Sequence, residues 1–485
     1  MDILLTHGYF LYEDPHELQV MKPYPPLGLL YVSAHLKAKG FDVEVFDTTF
    51  SNWDAFTSYL ALARPSLVGI YTNLMTRQNV VRMIRLCRDV GARVVLGGPE
   101  PPHHAREYLE RGADVIVIGE GELTLEELIP HLVRGDGTDL HDVAGIAFRD
   151  AEGRVVRTPP RPQIADLSAQ PWPDREAIDL ERYLETWHTH HGVRSVSLIT
   201  ARGCPYTCTW CSHTVFGYSH RRRTPEDVAA EVAFLVERYR PDQLWYADDV
   251  FTIQPRWTLR YAEELKRRGL RVPFECISRA DRLNEEVVAT LAAMGCSRLW
   301  IGSESGSQRV LDAMKRKARV EDIQAKTRLL QAHGITVGMF IMLGYEGETV
   351  ADIAATVAHL KRADPDVFLT TVAYPIKGTP YYEAVADRIL AYADWEHRTD
   401  RDLGVAGRHS RRFYAHATRW MVNEVRFHRQ WRRGERRPWP LLKSWLNARR
   451  GRLGMWLTQH EREGQDGSRP AGRGWTVRER ANEGW

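Results

Sequence analysis

Three cysteines near the middle of the chain have a spacing that suits a metal centre. Cys204, Cys208 and Cys211 lie within eight residues of one another, separated by three and then two residues. Their thiolates could close on zinc or on an iron–sulfur cluster. A structural zinc ion needs a fourth ligand, and the next cysteine, Cys276, has no close cysteine neighbour. Three ligands on a four-iron cluster would leave one iron open to a cofactor. The alternative, three cysteines that only pack, is typical of scattered cysteines.

The triplet, with Trp210 directly before its third cysteine, resembles the signature of the radical S-adenosylmethionine (SAM) enzymes. Two flanking stretches resemble the same family: residues 195–200 as the strand before the loop, and residues 219–228 as the helix entry of the subgroup with a cobalamin domain. The resemblance implies a [4Fe-4S] cluster that binds SAM and cleaves it, after one-electron reduction, to a 5′-deoxyadenosyl radical. The cofactors would supply the chemistry, and the protein would supply position and exclusion of water.

Length and composition limit the class of protein. A chain of 485 residues suggests two or three domains. Six cysteines in this length are not a disulfide framework, which favours a reducing, cytoplasmic location. The first residues have no basic segment or apolar run typical of a signal peptide, and no apolar stretch approaches the ~20 residues of a membrane span. Cys87, Cys276 and Cys296 are predicted to pack in the core.

The first third of the chain alternates strands and helices. This alternation predicts a doubly wound, parallel α/β sheet of the flavodoxin or Rossmann type in a domain spanning 1–145. The predicted strands are 3–6, 42–47, 66–71, 93–96 and 115–118, and the predicted helices are 28–40, 54–63, 79–90 and 122–129. Ligands of such sheets bind beyond the carboxyl ends of the strands.

Glycine-rich segments follow several of these strands and resemble a cobalamin-binding domain. Glycine there lets the backbone approach a bulky ligand, although such glycines often only form turns. The resemblance implies that cobalamin is bound by the following residues: Pro26, Leu27, Gly28, Thr72, Asn73, Leu74, Met75, Gly97, Gly98, Pro99, Glu100, Gly119, Glu120, Gly121 and Glu122. Residues 72–75 are the expected neighbours of the lower face of the cobalamin.

Histidines near these segments are not expected to bind cobalt. Many cobalamin domains carry Asp-x-His-x-x-Gly, whose histidine ligates cobalt, but the stretch from Asp14 has a proline before His16 and lacks the glycine. His16 is therefore interpreted as a solvated loop residue, and cobalamin is expected to bind without a lower histidine. For His103 and His104 the alternative to a ligand role is two surface histidines at the start of a helix, and this alternative is favoured for His104.

A second α/β region is predicted after a linker. Residues 146–190 combine a small hairpin with proline-rich segments, which indicates a linker. Repeated strand–helix units then resemble the radical SAM partial TIM barrel, at 191–385. Its predicted strands are 195–200, 243–247, 274–277, 299–301, 337–343 and 368–373.

Polar residues follow the strands of the predicted barrel, and the resemblance assigns several of them to SAM. Asp248 and Asp249 are expected near its amino group, because a carboxylate attracts an ammonium. The SAM-binding set comprises Tyr206, Trp210, Asp248, Asp249, Arg279, Ser303, Glu304 and Ser305. Arg279 is the expected partner of the SAM carboxylate, while Glu304 and Ser305 are candidates for the methionyl or ribose group. The alternative for each is a strand-end residue that caps the next helix.

The end of the chain is rich in arginine and tryptophan. Residues 386–460 are predicted to be helical and basic, with a helix over 416–433, and 461–485 to be a disordered tail. The basic residues form either a solvated face or a contact with an acidic substrate or an anionic membrane surface.

The sequence predicts a cobalamin-dependent radical SAM enzyme that uses a [4Fe-4S] cluster, SAM and cobalamin. The favoured reaction is methyl transfer from methylcobalamin to an unactivated carbon. One alternative is a radical oxidoreductase or cyclase without net methylation, and another is a non-catalytic cobalamin or iron sensor. The expected partners are a small-molecule, lipid or tetrapyrrole substrate and a flavodoxin- or ferredoxin-type reductant. No nucleic acid is expected, and the chain is expected to be a monomer.

Overall fold

The computed structural model describes residues 1–134 and 139–464, which divide into two compact units. The first unit comprises Met1–Pro205, Ser212–Ala247 and Trp395–Thr399. The second comprises Tyr206–Cys211, Asp248–Asp394 and the chain from Asp400 onward. Along the chain, the segment Tyr206–Cys211 of the second unit therefore lies between two stretches of the first unit. The domain boundaries inferred from the sequence stay predictions.

The first unit is an α/β structure, as predicted. Its strands are β1 (Ile3–His7), β2 (Val43–Phe46), β3 (Leu67–Tyr71), β4 (Arg93–Gly97), β5 (Val115–Val117), β6 (Ile146–Arg149), β7 (Val155–Arg157), β8 (Ser195–Leu198), β9 (Ala201–Arg202), β10 (Arg221–Arg222) and β11 (Gln243–Tyr246). Its helices are α1 (Pro15–Val20), α2 (Leu27–Ala38), α3 (Trp53–Ala63), α4 (Arg77–Asp89), α5 (Ala105–Leu109), α6 (Glu122–Arg134), α7 (Leu180–His191) and α8 (Pro225–Tyr239).

The main sheet of this unit has the order β2-β1-β3-β4-β5-β6-β7, and β1 to β5 are parallel. The order of the five parallel strands is that of flavodoxin-like folds, with a switch point between β1 and β3. The carboxyl ends of these parallel strands therefore share one edge. The glycine-rich segments after β4 and β5 start at this edge.

Alternate residues of the parallel strands pack into two separate cores, which makes the sheet doubly wound. Leu4 and Val68 belong to a core with residues of α3 and α4, such as Phe56 and Ile84. Odd-numbered residues of the strands, such as Leu5, belong to a second core with residues of α2 and α6. Successive side chains of a strand point to opposite faces, so each face is covered by its own helices.

The predicted linker is more structured than the sequence suggested. The hairpin β6–β7 forms, but it extends the main sheet because β6 pairs antiparallel with β5. The sequence analysis also missed helix α7, whose Tyr183 and Leu184 are buried. Asp179 caps this helix by accepting a hydrogen bond from the Arg182 backbone N–H. Prolines flanking this region led the sequence analysis to treat all of it as linker.

The second unit continues the strand–helix alternation. Its strands are β12 (Phe274–Ser278), β13 (Cys296–Glu304), β14 (Thr336–Leu343), β15 (Val367–Val372), β16 (Ile389–Leu390) and β17 (Gly404–Val405). Its helices are α9 (Pro255–Arg267), α10 (Glu285–Met294), α11 (Gln308–Ala313), α12 (Val320–Ala332), α13 (Val350–Ala363), α14 (Pro380–Ala384), α15 (Arg411–Arg432) and α16 (Pro438–Thr458). Strands β12 to β15 pair in parallel in chain order, as a barrel of βα units requires.

The last two helices, α15 and α16, pack against each other within the second unit. Their contact is close because α16 presents glycines: a Cβ on Gly451 would lie 2.5 Å from the backbone nitrogen of Trp420. The predicted helix 416–433 corresponds to α15, and α16 completes the helical region. Residues 461–464, assigned to a tail by sequence, are ordered, since Glu463 is buried against Arg408. The rest of the predicted tail, 465–485, lies outside the described residues.

Every helix within residues 1–134 and 139–464 is too short or too polar to span a bilayer. The three cysteines outside the triplet, Cys87, Cys276 and Cys296, are buried, as predicted.

Candidate active site

The segment that carries Cys208 is fixed by three hydrogen bonds around Thr209. The Thr209 backbone N–H donates to the Met314 carbonyl at 3.1 Å, and the Thr209 carbonyl accepts from the Tyr381 N–H at 2.8 Å. The Thr209 hydroxyl lies 2.6 Å from the Tyr345 hydroxyl. These contacts hold the segment against residues from three separate parts of the second unit.

Two buried arginines face the sulfur of Cys208. Nη1 of Arg279 and Nη1 of Arg316 each lie 3.9 Å from the Cys208 Sγ. Burial raises the pKa of this thiol, whereas the charge of Arg279 lowers it. Two guanidinium groups at one sulfur favour the thiolate, which is the form that ligates metal. Burial is the larger effect and the pKa of Cys208 is raised, but the two guanidinium groups would stabilise the negative charge of a cluster-bound thiolate.

Each guanidinium is positioned by protein oxygens. Arg279 donates from Nε to Asp281 at 2.8 Å and from Nη2 to the Arg316 carbonyl at 2.7 Å, and it stacks 3.7 Å from the centre of the Tyr206 ring. Arg316 donates from Nη2 to the Gly302 carbonyl at 2.7 Å. In this structure Arg279 is thus engaged with Cys208 and its neighbours. Its assignment to the SAM carboxylate stays a prediction.

Glu304 is a buried carboxyl group at the end of β13. Its backbone φ of 63° lies in the left-handed region, where a residue other than glycine is uncommon. Burial raises its pKa from 4.5 to about 8, although the Arg279 charge opposes that rise. Its Oε1 lies 3.8 Å from Nε of Arg316. A buried, strained, titratable group at the end of a barrel strand is a strong candidate for ligand binding.

The two serines beside Glu304 point their hydroxyls into the fold. The Ser303 hydroxyl lies 3.0 Å from Nε2 of the buried His359, and the Ser305 hydroxyl lies 3.2 Å from that of Thr356. Both partners belong to α13. These contacts hold the loop that carries Glu304, and a direct SAM contact by either serine stays a prediction.

Asp248 and Asp249 follow β11 as predicted, and Asp248 is buried. Desolvation and the Asp248 charge raise the pKa of Asp249. Adjacent acids of this kind are stabilised by a nearby cation, which keeps them candidates for the SAM amino group. Trp210 is half-buried, and its indole nitrogen is buried without a hydrogen-bond partner in the described structure.

The acidic residues after β5 are paired with arginines in the first unit. Glu120 binds Nη1 of Arg202 at 2.7 Å and Nη1 of Arg221 at 2.8 Å, and Glu122 binds Nη2 of Arg202 at 2.6 Å. Arg202 and Arg221 lie on the small hairpin β9–β10. Both carboxylates are thus neutralised by protein, and their predicted contact with cobalamin remains to be tested.

The segment after β3 is a tight turn beside Gly98. The Thr72 N–H donates to the Gly97 carbonyl at 2.8 Å, and a Cβ on Gly98 would lie 2.3 Å from the Thr72 carbonyl oxygen. Gly98 has a φ of 106°, so glycine is required here by the backbone itself. Met75, at the tip of this turn, is exposed. The segment 72–75 therefore remains available as a cobalamin contact.

Two residues near this edge are buried; His104 differs from its predicted surface position, and the predicted cobalamin contact of Glu100 stays a prediction. His104 is buried and not on the surface: its Nδ1 accepts from Nε1 of Trp395 at 2.9 Å. Glu100, a predicted cobalamin contact, is buried against Arg77, and its Oε2 accepts from the Tyr108 hydroxyl at 2.6 Å. Both buried side chains therefore have hydrogen-bond partners within the first unit. His16 is half exposed in α1, and its predicted lack of a role at cobalt remains untested.

A cavity of about 170 Å³ opens beside the end of β5. It is lined by Gly119, Glu120, Gln163, Thr214 and Val215, among others. The Thr214 hydroxyl is also 2.7 Å from Nε2 of His103. Together with the glycines after β4 and β5, this cavity leaves room at the strand edge for part of a bulky ligand, and the contact of these residues with cobalamin stays a prediction.

The side chains of the three cysteines do not converge on a single metal position in this structure. Among residues 1–134 and 139–464, no three His, Cys, Asp or Glu side chains converge as metal ligands. The donor chemistry nevertheless fits an iron–sulfur cluster, because none of the three cysteines is in a disulfide and Cys208 faces two cations. Cys204, Cys208 and Cys211 would hold the cluster.

Comparison with known proteins identifies two families of domain. Residues 198–360 match the radical SAM superfamily, and residues 19–129 match the B12-binding domain. The chain belongs to the cobalamin-binding radical SAM family. The chain is similar to an uncharacterized methyltransferase of Pyrococcus horikoshii, 28% identical over 78% of this chain and 82% of that protein.

Two other similarities cover most of this cobalamin-binding radical SAM chain. The anaerobic magnesium-protoporphyrin IX monomethyl ester cyclase of Rubrivivax gelatinosus is 25% identical over 79% of this chain and 70% of its own. The solved structure of the radical SAM methyltransferase TsrM from Kitasatospora setae matches with a TM-score of 0.68 and 22% identity, over 81% of this chain and 79% of that chain. The latter similarity supports the fold.

Membership of the cobalamin-binding radical SAM family confirms several predictions. The protein is an enzyme, which argues against the sensor alternative, and its cofactors are a [4Fe-4S] cluster, SAM and cobalamin. A small-molecule substrate and an electron donor are consistent with this family. The sequence analysis missed Arg202, Arg221 and Arg316. The basic residues that directly flank the cysteine loop, and the run from Lys315 to Lys317, were signals that could have indicated them.

Proposed function

We propose that this enzyme transfers a methyl group to an unactivated carbon of a small molecule. The cofactors supply a SAM-derived radical and, through cobalamin, a methyl group. The observation that carries the proposal is the pair of guanidinium groups at the Cys208 sulfur, 3.9 Å from Arg279 and 3.9 Å from Arg316. Two cations beside this sulfur would stabilise the thiolate form that ligates a cluster.

The residues around Cys208 then have distinct tasks. Arg279 and Arg316 stabilise negative charge at the sulfur, because a guanidinium in a dry site interacts strongly with an anion. In the protein without SAM, burial raises the pKa of Glu304 to about 8, so Glu304 holds its proton near neutral pH. A cationic ligand placed beside Glu304 would favour the carboxylate form. Glu304, Asp248 and Asp249 are therefore proposed to contact the ammonium or sulfonium side of SAM.

The names of related proteins support methylation and leave one alternative. Two of the similar proteins are described as methyltransferases and one as a cyclase. The second candidate is therefore a radical oxidoreductase or cyclase that uses cobalamin without net methyl transfer. The two candidates share every cofactor-binding residue, and they differ only in whether the product keeps the methyl group of SAM.

The proposed partners follow from the same reaction. A flavodoxin- or ferredoxin-type protein is proposed to deliver single electrons, and the substrate is proposed to be a lipid, a tetrapyrrole or another small molecule. The protein is proposed to act as a cytoplasmic monomer that does not bind nucleic acid. Its arginine-rich C-terminal region is proposed to rest on an anionic membrane surface.

Anaerobic turnover with SAM labelled on its methyl group tests the reaction. The reconstituted protein, with cobalamin and a reductant, is incubated with candidate lipids, tetrapyrroles and peptides, and the products are examined by mass spectrometry. We expect 5′-deoxyadenosine together with a product that carries the labelled methyl group. A product formed without the label would favour the oxidoreductase or cyclase alternative.

A matched variant separates the cluster from the rest of the chain. Cys208→Ala should abolish both products, whereas Cys87→Ala, in a buried helix of the first unit, should retain them. Persistence of labelled product in Cys208→Ala would contradict the proposal.

A further inference from the structure

Helix α16 has an unusual distribution of side-chain size. Its buried face consists mainly of small residues, Ser444, Ala448, Gly451, Gly454 and Thr458, with Met455 beside them. Close packing requires this: a Cβ on Gly454 would lie 2.3 Å from Nδ1 of His416 on α15. The packing against α15 therefore accounts for the small residues but not for the large ones.

The large apolar residues of α16 lie on its opposite, outward face. Their exposed fractions run from 40% at Trp445 to 69% at Trp439. The set comprises Trp439, Leu442, Trp445, Leu453, Trp456 and Leu457. Successive members are separated by one, three or eight residues, and at about 100° per residue all six lie within about 120° of the helix circumference. A helix in a soluble protein normally buries this kind of stripe, so the outward face of α16 has the composition of a contact surface.

Basic residues flank this stripe. Lys443, Arg449, Arg450 and Arg452 are all exposed. The sequence from 436 to 460 contains no aspartate or glutamate. Arg449 also lies over the Trp445 ring, at 5.5 Å from its centre. The outward face is therefore apolar at its centre and positively charged around it, with no acidic residue to oppose an anionic partner.

We propose that the outward face of α16 binds anionic phospholipid bilayers. Tryptophan and leucine partition into the boundary between headgroups and acyl chains, and arginine and lysine attract anionic headgroups. The charge pattern argues for a bilayer because four cations without an acid match a uniformly negative surface. This inference rests on the membrane contact proposed above and names the element responsible for it.

The neighbouring helix α15 holds this face outward. Arg429 of α15 donates from Nε to Asp364 at 3.0 Å and from Nη1 to the Asp366 carbonyl at 3.1 Å. Lys361 pairs with Glu424 at 2.5 Å, which links α13 to α15. Arg429 of α15 is thus engaged within the unit, whereas Lys443, Arg449, Arg450 and Arg452 of α16 are exposed. Helix α15 is the support and α16 is the membrane-binding element.

Flotation of the full-length protein with vesicles tests the inference. We expect binding to vesicles of phosphatidylcholine with phosphatidylglycerol at low salt, and binding at least about ten-fold weaker to phosphatidylcholine alone or at high salt. Arg449→Gln and Arg450→Gln should each lower the partition coefficient roughly five-fold, which corresponds to about 1 kcal/mol per surface charge. Trp445→Ser combined with Trp456→Ser should lower it at least about ten-fold.

A matched pair of leucines controls for general surface polarity. Leu453→Ser on α16 should weaken vesicle binding, whereas Leu62→Ser on α3, which is 86% exposed, should leave it unchanged. Circular dichroism verifies folding, because all four leucine and tryptophan sites are at the surface. Equal loss in both leucine variants would overturn the inference.

Three other outcomes have defined meanings. Vesicle binding that the α16 variants do not change would overturn this inference while the membrane contact stands. Absence of vesicle binding at either salt would overturn both. A dimer in light scattering that the α16 variants dissociate, without vesicle binding, would assign the face to self-association and overturn the inference. SAM cleavage without vesicles should stay within about two-fold of wild type in every variant. Absence of SAM cleavage in the wild-type protein would count against the proposed function and not against this inference.

Discussion

The strand ends of the two units treat buried charge differently. After β5 in the first unit, Glu120 and Glu122 are paired with Arg202 and Arg221. After β13 in the second unit, Glu304 is buried with a pKa raised to about 8, beside arginines that face the Cys208 sulfur. In the first unit, the acids at the strand end are thus neutralised by arginines of the protein. In the second unit, the buried Glu304 carboxyl group would be ionised by a cationic ligand. Polar strand ends are therefore not equally informative about function.

The largest expected effect is at the sulfur that distinguishes the second unit. Cys208→Ala should remove bound iron and abolish 5′-deoxyadenosine formation, because three ligands are needed to hold the cluster. Iron analysis and chromatography of anaerobic reactions measure both. Cys296→Ala serves as a control, since this cysteine is buried at the start of β13 and does not belong to the triplet. If Cys208→Ala kept its iron and its activity, the contrast between the units would lose its basis.

The next effect concerns the arginines at that sulfur. Arg316→Met should lower the rate of SAM cleavage roughly ten- to hundred-fold, the value of one or two charge-assisted hydrogen bonds. Arg319→Met, in which the lost side chain is exposed, should stay within about two-fold. Rates of 5′-deoxyadenosine formation measured at equal iron content separate the two variants. Equal rates would show that Arg316 only supports the fold.

Glu304 should produce a pH dependence of stability in the protein without SAM. Its folded pKa of about 8 exceeds its ordinary value of 4.5, so between these values the folded state binds more protons than the unfolded state. The free energy of unfolding should therefore fall as the pH rises from about 5 to 8, by on the order of 1.4 kcal/mol per unit of pKa shift. Urea denaturation of Glu304→Gln should show a flatter profile.

Glu348 provides the matched control for Glu304. It is also buried, and burial raises its pKa to about 8. Glu348→Gln should flatten the stability profile in the same way, whereas only Glu304→Gln should weaken SAM binding, measured by calorimetry. Equal loss of SAM affinity in both variants would count against a direct contact at Glu304.

The first unit should respond to charge removal mainly in stability. Glu120→Gln leaves the cations of Arg202 and Arg221 without their shared partner, and breaking a buried pair costs about 3–5 kcal/mol. Chemical denaturation should show this loss. Cobalamin affinity measured under stabilising conditions should fall only in proportion to the fraction of protein in which the first unit is unfolded. A loss of affinity in fully folded protein would instead support the predicted contact of Glu120 with cobalamin.

The smallest expected effect is at His16. Its side chain is half exposed and lies beside Glu17 in α1. His16→Ala should leave the absorption spectrum of bound cobalamin unchanged, because no histidine is expected below the cobalt. A changed spectrum would identify His16 as a ligand and would reverse the interpretation of the motif.

Much of the fold could be predicted because its signals are local. The strands of the first unit alternate with helices, and the sheet order follows the rules for parallel α/β folds. Helix α7 was not predicted because prolines lie near it in the sequence. The burial of Tyr183 and Leu184 depends on packing, which the local sequence does not show. Similarly, residues 461–464 appear polar in the sequence, but Glu463 is buried by its ion pair with Arg408.

The site was less predictable than the fold. The cysteine spacing indicated the cluster ligands, but the contact of Arg316 with Cys208 joins residues 108 positions apart and has no local signal. From the sequence, Glu100, Glu120 and Glu122 cannot be told apart from glutamates that contact a ligand. Only the structure shows that each is paired with an arginine. Sequence patterns locate strand ends; they do not report whether the charges there are already paired.

The central claim is that the cysteine triplet holds a cluster that cleaves SAM. The most direct measurement is the metal content of the anaerobically reconstituted full-length protein, together with 5′-deoxyadenosine formation from SAM and a reductant. We predict about four irons per chain and 5′-deoxyadenosine formation that depends on all three cysteines. A colourless protein that contains stoichiometric zinc and does not react with SAM would contradict the account.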